Sequence, residues 1–137
     1  MIGGFGNAGQ PFELIDALMD CGATGLTVVN NNAGQGDQGL ALLIKEGRVK
    51  KMICSFPRQS DSWHFDAKYK AGEIELELVP QGNLAERIRA AGAGIGGFFT
   101  PTGYGTMLAE GKETRILDGR GQVFETPIHA DVALIKA

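Results

Sequence analysis

Short apolar segments alternate with amphipathic ones along this chain, and that alternation leaves few folds open to it. Leu26–Asn30 (LTVVN) is a compact apolar run, as in a buried strand, whereas Pro11–Cys21 carries apolar residues at helical spacing. Strands that alternate with helices predict an α/β fold with a mostly parallel sheet and helices on both faces. The predicted helices are 11–21, 39–46, 60–71 and 83–91, and the predicted strands are 26–30, 49–55, 73–79 and 130–135.

Three local patterns add detail. Met1-Ile2 reads as the tail of a further strand. Asn83 is followed three residues later by Glu86, a capping-box pattern that predicts a helix beginning after Asn83. After a glycine-rich loop that runs to about residue 106, two short strands at 115–117 and 122–125 flank Asp118-Gly119, a pair typical of a tight hairpin turn.

The composition excludes several classes of protein. The 137 residues favour one domain spanning 1–137, and a net charge of −3 gives no electrostatic reason to expect nucleic acid or an anionic membrane as partner. No apolar run approaches the roughly 20 residues of a membrane span. Cys21 and Cys54 are isolated and the two histidines lie far apart, so we expect no metal site and two reduced thiols in a cytoplasmic protein.

Polar, glycine-containing segments follow the predicted strands. Ligands of parallel α/β sheets bind beyond the carboxyl ends of the strands, so these segments are the candidate site. Their side chains are mostly neutral amides and hydroxyls. They are 3–9, 30–36, 55–62 and 80–83.

The first segment contains Gly4-Phe5-Gly6-Asn7-Ala8-Gly9, which is a G-x-G-x-x-G sequence. A dinucleotide-binding loop also needs an acidic residue about 20 positions on, at the end of the second strand. Here that strand ends in Asn30-Asn31-Asn32, so dinucleotide binding is disfavoured. Two alternatives stay open at this point: a tight strand-to-helix turn with no ligand, and a turn that binds a different anionic ligand at the start of a helix.

Longer motifs extend the comparison. "GGFGNAGQP" (3–11) resembles the signature of the A subunit of family I coenzyme A transferases. Segments that resemble the same family follow in order over practically the whole chain. They are "NNAG" (31–34), "VPQGNLAERIRAAGAG" (79–94), "FFTPTGYGT" (98–106), "EGKETR" (110–115) and "ADVALIKA" (130–137). Because A subunits of this family extend further at both ends, the chain is expected to be incomplete.

The resemblance implies a fold, a reaction and a partner. Members move CoA from succinyl-CoA to a 3-oxo acid by a ping-pong mechanism, and the nucleophilic glutamate lies in a Ser-Glu-x-Gly motif of the B subunit. This chain has no such motif, so we expect no catalytic residue in it and an AB or A2B2 assembly with a B subunit. Coenzyme A enters as a substrate thioester, and no separate cofactor is expected.

The resemblance also assigns binding roles. It implies that the turn formed by Gly3, Gly4, Phe5, Gly6, Asn7, Ala8 and Gly9 contacts CoA. It further implies that Asn31, Asn32 and Gln81 bind the substrate carboxylate or the oxygens at the reaction centre. From the residues alone, turn chemistry is the alternative for Asn31 and Asn32, and capping of the next helix is the alternative for Gln81.

Arg58 lies in "CSFPRQSDSWHFD" (54–66), a segment that resembles family members acting on 3-oxoadipate rather than acetoacetate. A guanidinium can bind the second carboxylate of such an acceptor through two hydrogen bonds, although a solvated surface arginine is the alternative. Trp63, His64 and His129 receive no catalytic role.

Two competing functions remain at this stage. One is transfer to acetoacetate within the same family. The other is a non-catalytic module that binds a CoA ester or a sugar phosphate, because related α/β folds serve both purposes.

Overall fold

The computed structural model describes residues 1–137. The chain divides into two compact units, which we call unit 1 (Met1–Leu78 with Asp131–Ala137) and unit 2 (Val79–Ala130). Whether the whole chain behaves as one domain stays a prediction.

Unit 1 is built on a parallel three-stranded sheet. Its strands, β1 (Leu26–Val29), β2 (Val49–Cys54) and β3 (Glu75–Leu78), lie in the order β1-β2-β3. Helix α1 (Phe12–Asp20) precedes β1, and α2 (Leu40–Lys45) and α3 (Trp63–Lys70) connect the successive strands. The predicted α/β fold with a parallel sheet is therefore confirmed, with element ends that shift by a few residues.

The core of unit 1 joins the sheet to its helices. Val28 pairs with Met52, and Met52 pairs with Leu76 on the other side, so β2 is the central strand. Side chains of all three helices pack against these strands. The large, fully buried members of this core are Ile15, Leu40, Leu43, Ile44, Met52, Cys54 and Phe65.

The predicted strand at 130–135 is wrong as an extended strand. Only Leu134 forms a bridge, parallel to Ile2, while Val132 and Ile135 are largely exposed. Two backbone bonds flank this bridge: Gly3 N–H donates to Leu134 carbonyl and Leu134 N–H donates to Met1 carbonyl, both at 2.9 Å. A backbone bond from Ile2 N–H to Val29 carbonyl (2.9 Å) attaches Ile2 to β1.

Unit 2 contains α4 (Gln81–Gly92) and an antiparallel sheet of β4 (Phe98–Thr100), β5 (Thr114–Leu117) and β6 (Arg120–Glu125) in the order β4-β6-β5. The predicted hairpin is confirmed. Asp118 and Gly119 have φ of 49° and 73°, as a two-residue turn of type I′ requires. The sequence predicts a loop in the segment that forms β4. A strand of three residues directly after a glycine-rich segment is too short to show an alternating pattern.

The predicted capping box at Asn83 is wrong. Helix α4 begins two residues earlier, at Gln81 directly after Pro80, and no side chain caps it. Asn83 is buried, and its amide donates to Thr102 carbonyl and to Glu125 Oε1, both at 3.3 Å. The buried carboxylate draws the amide inward, away from the helix terminus.

Candidate substrate-binding site

The glycine loop, residues 3–9, forms a tight turn between the Ile2 segment and α1. Phe5 N–H donates to Ala8 carbonyl (2.9 Å) and Ala8 N–H donates to Phe5 carbonyl (3.2 Å), with Gly6 and Asn7 at the tip. The Phe5 ring is 68% exposed. Gln10 and Pro11 then lead into α1, so the loop stands before the start of a helix, as the sequence predicts.

Three buried amide side chains hold this loop. Asn30 Nδ2 donates to Ile2 carbonyl (2.7 Å) and to Gly3 carbonyl (3.2 Å). Asn32 Nδ2 and Gln10 Nε2 both donate to Gly6 carbonyl, each at 3.4 Å. Gln10 Oε1 also accepts from Leu40 N–H (3.1 Å), the first residue of α2. The loop is thus attached to the end of β1 and to α2.

The predicted pair Asn31 and Asn32 lies at the carboxyl end of β1, as expected. Asn32 is fully buried and its Oδ1 accepts from Gly34 N–H (2.7 Å), while Asn30 Oδ1 accepts from Asn32 N–H (2.9 Å). These local bonds are turn chemistry of the kind the sequence left open for this segment. Asn31 Nδ2 donates to Ser55 Oγ (3.2 Å).

The loop after β2 packs beside this asparagine segment. Ser55 and Phe56 both donate their N–H groups to Asn31 carbonyl, at 3.2 and 3.0 Å. Ser62 Oγ, buried, donates to Gly34 carbonyl (2.9 Å). Unit 1 therefore brings together three of the four predicted polar segments: 3–9, 30–36 and 55–62. Gln81 lies in unit 2, where it is exposed as the first residue of α4.

Arg58 projects from the loop after β2 and is exposed. Its Nε donates to Asp66 Oδ1 on α3 (2.8 Å). This bond orients the guanidinium through one edge, and no hydrogen bond within the chain uses its two Nη groups. The arrangement leaves the Nη pair available for a carboxylate, the geometry that two-point recognition needs.

His64 has a partner that the sequence did not reveal. Its Nε2 lies 2.7 Å from Asp37 Oδ1, which also lies 3.5 Å from Lys45 Nζ. The hydrogen bond from His64 holds the pKa of the Asp37 carboxyl below its ordinary value. The exposed Trp63 ring lies edge-on to the His64 ring, with 6.0 Å between the ring centroids. His129 is exposed in unit 2. Since these groups form no nucleophile–base pair, they support no catalytic assignment.

Two classes of site are not seen. No group of three or more histidine, cysteine, aspartate or glutamate side chains is placed to hold a metal ion. None of the helices is both long enough and apolar enough to cross a bilayer.

Comparison with known families identifies the family of this chain. The model of the family described as Coenzyme A transferase matches residues 1–137, which is the whole chain. The chain belongs to the coenzyme A transferase family. The predicted membership is thereby confirmed.

Curated members of the coenzyme A transferase family align over nearly all of this chain. It is 68% identical over 137 residues to the A subunit of 3-oxoadipate CoA-transferase from Pseudomonas putida, covering 100% of this chain and 59% of that protein. It is 54% identical over 136 residues to the A subunit of succinyl-CoA:3-ketoacid coenzyme A transferase from Xanthomonas campestris pv. campestris, covering 99% and 55%. The chain therefore spans a little over half the length of these relatives.

A solved structure gives the same fold. Glutaconate coenzyme A-transferase from Acidaminococcus fermentans superposes with a TM-score of 0.82 at 23% identity, covering 98% of this chain and 49% of that one. At this identity the likeness shows the fold alone.

Sequence reasoning assigned no role to two residues whose side chains hold the glycine loop by hydrogen bonds. Gln10 and Asn30 are both buried, 1% and 3% exposed, although amides are usually found at the surface. The available signal was position: Gln10 directly follows the predicted polar segment 3–9 and precedes a helix, and Asn30 is the first residue of the predicted polar segment 30–36. A buried polar residue at such a place must satisfy its hydrogen bonds, and the nearest unpaired groups are loop carbonyls.

Proposed function

We propose that this chain is the A-subunit part of a CoA-transferase that moves CoA from succinyl-CoA to 3-oxoadipate. The observation that carries the proposal is the 68% identity, over the whole chain, to the A subunit of a 3-oxoadipate CoA-transferase. The polar loops at one end of the unit 1 sheet support it, because they offer neutral hydrogen-bond donors without a nucleophile–base pair of their own.

The chemistry is nucleophilic catalysis by a carboxylate. The B subunit supplies a glutamate, which attacks the thioester carbonyl of succinyl-CoA and releases CoA as thiolate, giving an acyl anhydride. The thiolate then attacks the glutamyl carbonyl, releasing succinate and leaving a glutamyl-CoA thioester. 3-Oxoadipate enters by the reverse of these steps. Both half-reactions pass through an oxygen that gains negative charge, which calls for donors fixed in advance.

The residues of this chain contribute binding. The glycine loop, residues 3–9, contacts CoA. Asn31, Asn32 and Gln81 serve the substrate carboxylate or the reaction-centre oxygens, either by direct contact or, as the bonded side chain of Asn32 requires, through the backbone that the amide holds. Arg58 binds the far carboxylate of 3-oxoadipate. Neutral amides suit the reaction centre because they stabilise charge without pairing with the nucleophilic glutamate.

The assembly is an AB or A2B2 hetero-oligomer with a B subunit that carries the Ser-Glu-x-Gly motif. The relatives are named as A subunits, which supports a partner of this kind. We place the enzyme in the cytoplasm because Cys21 and Cys54 are both free thiols.

The test is CoA transfer from succinyl-CoA with 3-oxoadipate and acetoacetate as competing acceptors. It is run for this chain alone and for the chain co-expressed with a B subunit. We expect no transfer by the chain alone, because the nucleophile is absent, and transfer with a preference for 3-oxoadipate from the pair.

Each other outcome has a definite meaning. Transfer by the chain alone would refute the half-site proposal. A preference for acetoacetate would favour the second candidate, which the 54% identity to a succinyl-CoA:3-ketoacid transferase subunit supports. No transfer by an assembled pair, with CoA-ester binding retained, would favour a non-catalytic binding module.

A further inference from the structure

The backbone of the glycine loop is oriented by side chains that lie beneath it. The carbonyl oxygens of Gly3 and Gly6 both point toward buried amides: Asn30 Nδ2 lies 3.2 Å from Gly3 oxygen, and Asn32 Nδ2 and Gln10 Nε2 each lie 3.4 Å from Gly6 oxygen. These three side chains are between 0% and 3% exposed. The loop carbonyls are therefore bound on the side that faces the protein.

The opposite side of the same peptide units carries free donors. A peptide unit is planar and trans, so its carbonyl and its N–H point in opposite directions, and no cis bond occurs in this chain. Because Gly3 carbonyl points toward Asn30, Gly4 N–H points away from Asn30. Likewise, because Gly6 carbonyl points toward Asn32 and Gln10, Asn7 N–H points away from those two side chains. No hydrogen bond within the chain uses either N–H group.

We propose that Gln10, Asn30 and Asn32 are positioning residues that aim the N–H groups of Gly4 and Asn7 at an anionic oxygen of the substrate. This inference rests on the proposed function. It gives Asn32 a role through the backbone: both ends of its side chain are already bonded, Oδ1 to Gly34 N–H (2.7 Å) and Nδ2 to Gly6 carbonyl.

The chemistry of the ligand follows from the donors. Backbone N–H groups that have no acceptor within the chain suit a negatively charged oxygen. Such an oxygen has two sources in this reaction: a phosphate of CoA, or the carboxylate of the 3-oxo acid. The experiment separates them by measuring each ligand by itself.

The variants are chosen to remove one donor and keep the acceptor. Gln10→Glu retains the oxygen that accepts from Leu40 N–H and loses the donor to Gly6 carbonyl. Asn30→Asp retains the oxygen that accepts from Asn32 N–H and loses the donor to Gly3 carbonyl. Ile15→Val is the matched control, because Ile15 is a fully buried core residue of unit 1 and its substitution lowers stability without touching a loop carbonyl.

All variants are studied as the chain assembled with a B subunit. The measurements are the melting temperature, Kd for CoA and for dephospho-CoA by calorimetry, and KM for 3-oxoadipate. We expect Gln10→Glu and Asn30→Asp to weaken one of the two ligands about tenfold or more, since each donor to a charged oxygen contributes on that order. Ile15→Val should leave the two Kd values and KM within about twofold of their wild-type values, because a conservative core change acts on stability rather than on the loop.

The pattern of loss identifies the oxygen. A loss for CoA that disappears with dephospho-CoA assigns the 3′-phosphate, and an equal loss for both assigns the diphosphate. A loss confined to KM for 3-oxoadipate assigns the carboxylate. In the wild-type chain, the Gly4 and Asn7 amide resonances should also shift on titration with the same ligand.

Two results would overturn the inference. If both variants lower the melting temperature but bind all ligands as Ile15→Val does, the amides serve stability alone. If the wild-type Gly4 and Asn7 resonances do not move with any ligand, these N–H groups face no substrate. In either case the wild-type complex still transfers CoA, so the proposed function survives; a wild-type complex that neither binds CoA nor transfers it refutes both.

Discussion

Arg58 illustrates how one side chain can set acceptor choice. Its Nε is held by Asp66 Oδ1 at 2.8 Å, and its Nη groups make no bond within the chain. We expect Arg58→Ala to raise KM for 3-oxoadipate at least tenfold and KM for succinyl-CoA by much less, since charge-assisted pairs contribute roughly 1.5–3 kcal/mol. Steady-state kinetics of the assembled enzyme with each substrate varied in turn would measure this.

The control for Arg58 is Arg89→Ala. Arg89 is also exposed and also bonded to a neighbouring carboxylate, that of Glu86 at 2.7 Å. The Arg89→Ala substitution should leave KM for 3-oxoadipate and KM for succinyl-CoA unchanged. Equal increases for the two substrates with Arg58→Ala would remove Arg58 from acceptor recognition.

Glu125 is a second residue whose environment makes a prediction. It is 2% exposed, with Lys112 Nζ at 2.8 Å, Asn83 Nδ2 at 3.3 Å and Arg87 Nε at 3.7 Å. Glu125→Gln leaves two cations without their buried partner. Breaking a buried pair from one side costs about 3–5 kcal/mol, and the partial exposure of Lys112 places our expectation near 3 kcal/mol.

Urea denaturation of this variant gives the change in the free energy of unfolding. Glu86→Gln is the comparison, because Glu86 pairs with Arg89 at the surface, where water screens the charges, so only a small change is expected. A loss for Glu125→Gln no larger than that for Glu86→Gln would show that the buried carboxylate contributes little.

At the scale of secondary-structure elements, helix α2 depends on a close approach at its first turn. Gly39 precedes the helix with φ of 56° and ψ of −129°. A Cβ there would collide with Gln10 Oε1 and lie 2.8 Å from Phe12 Cε1. Gly39→Ala should therefore lower the free energy of unfolding by roughly 1–3 kcal/mol from overpacking, beyond the strain of a positive φ.

Gly36→Ala isolates the strain from the collision. Gly36 also has a positive φ, 62°, but a Cβ there meets nothing within 4 Å. Denaturant unfolding curves of Gly39→Ala and Gly36→Ala, analysed with the same dependence of free energy on denaturant, measure the difference between their free energies of unfolding. If the two substitutions were equally costly, the contact with Gln10 and Phe12 would not limit the helix start.

For the whole molecule, the core of unit 1 controls access to Cys54. The thiol is fully buried at the end of β2, and burial raises its pKa to about 12, so the unreactive thiol form dominates at neutral pH. Cys21 is exposed. We expect an aromatic disulfide reagent to label the Cys21 thiol at once and the Cys54 thiol only as the core opens.

Two comparisons complete this test. Cys21→Ser should remove the fast phase, and denaturant should accelerate the slow phase in step with unfolding. Rapid labelling of both thiols in the native protein would contradict a closed core.

The sequence determined the elements of the fold and the family, since apolar periodicity, turn pairs and ordered motifs are local. The three parallel strands, the hairpin at Asp118-Gly119 and the polar segments at the strand ends were all predicted from adjacent residues. The failures were of another kind. The capping box at Asn83 matched a local pattern that a distant residue, Glu125, overruled. The strand at 130–135 also matched a local pattern, but only Leu134 pairs there, with Ile2.

Only the tertiary structure decided what the asparagines and Gln10 contact. Asn30 lies 27 residues from Gly3, and Gln10 lies 30 residues from Leu40, and no spacing in the sequence specifies those pairs. Chain folding buries these amides, and a buried amide must find a partner, so the free carbonyls of the glycine loop become its acceptors. The sequence by itself therefore supplied the glycine loop, and the packing of unit 1 determined which way its N–H groups face.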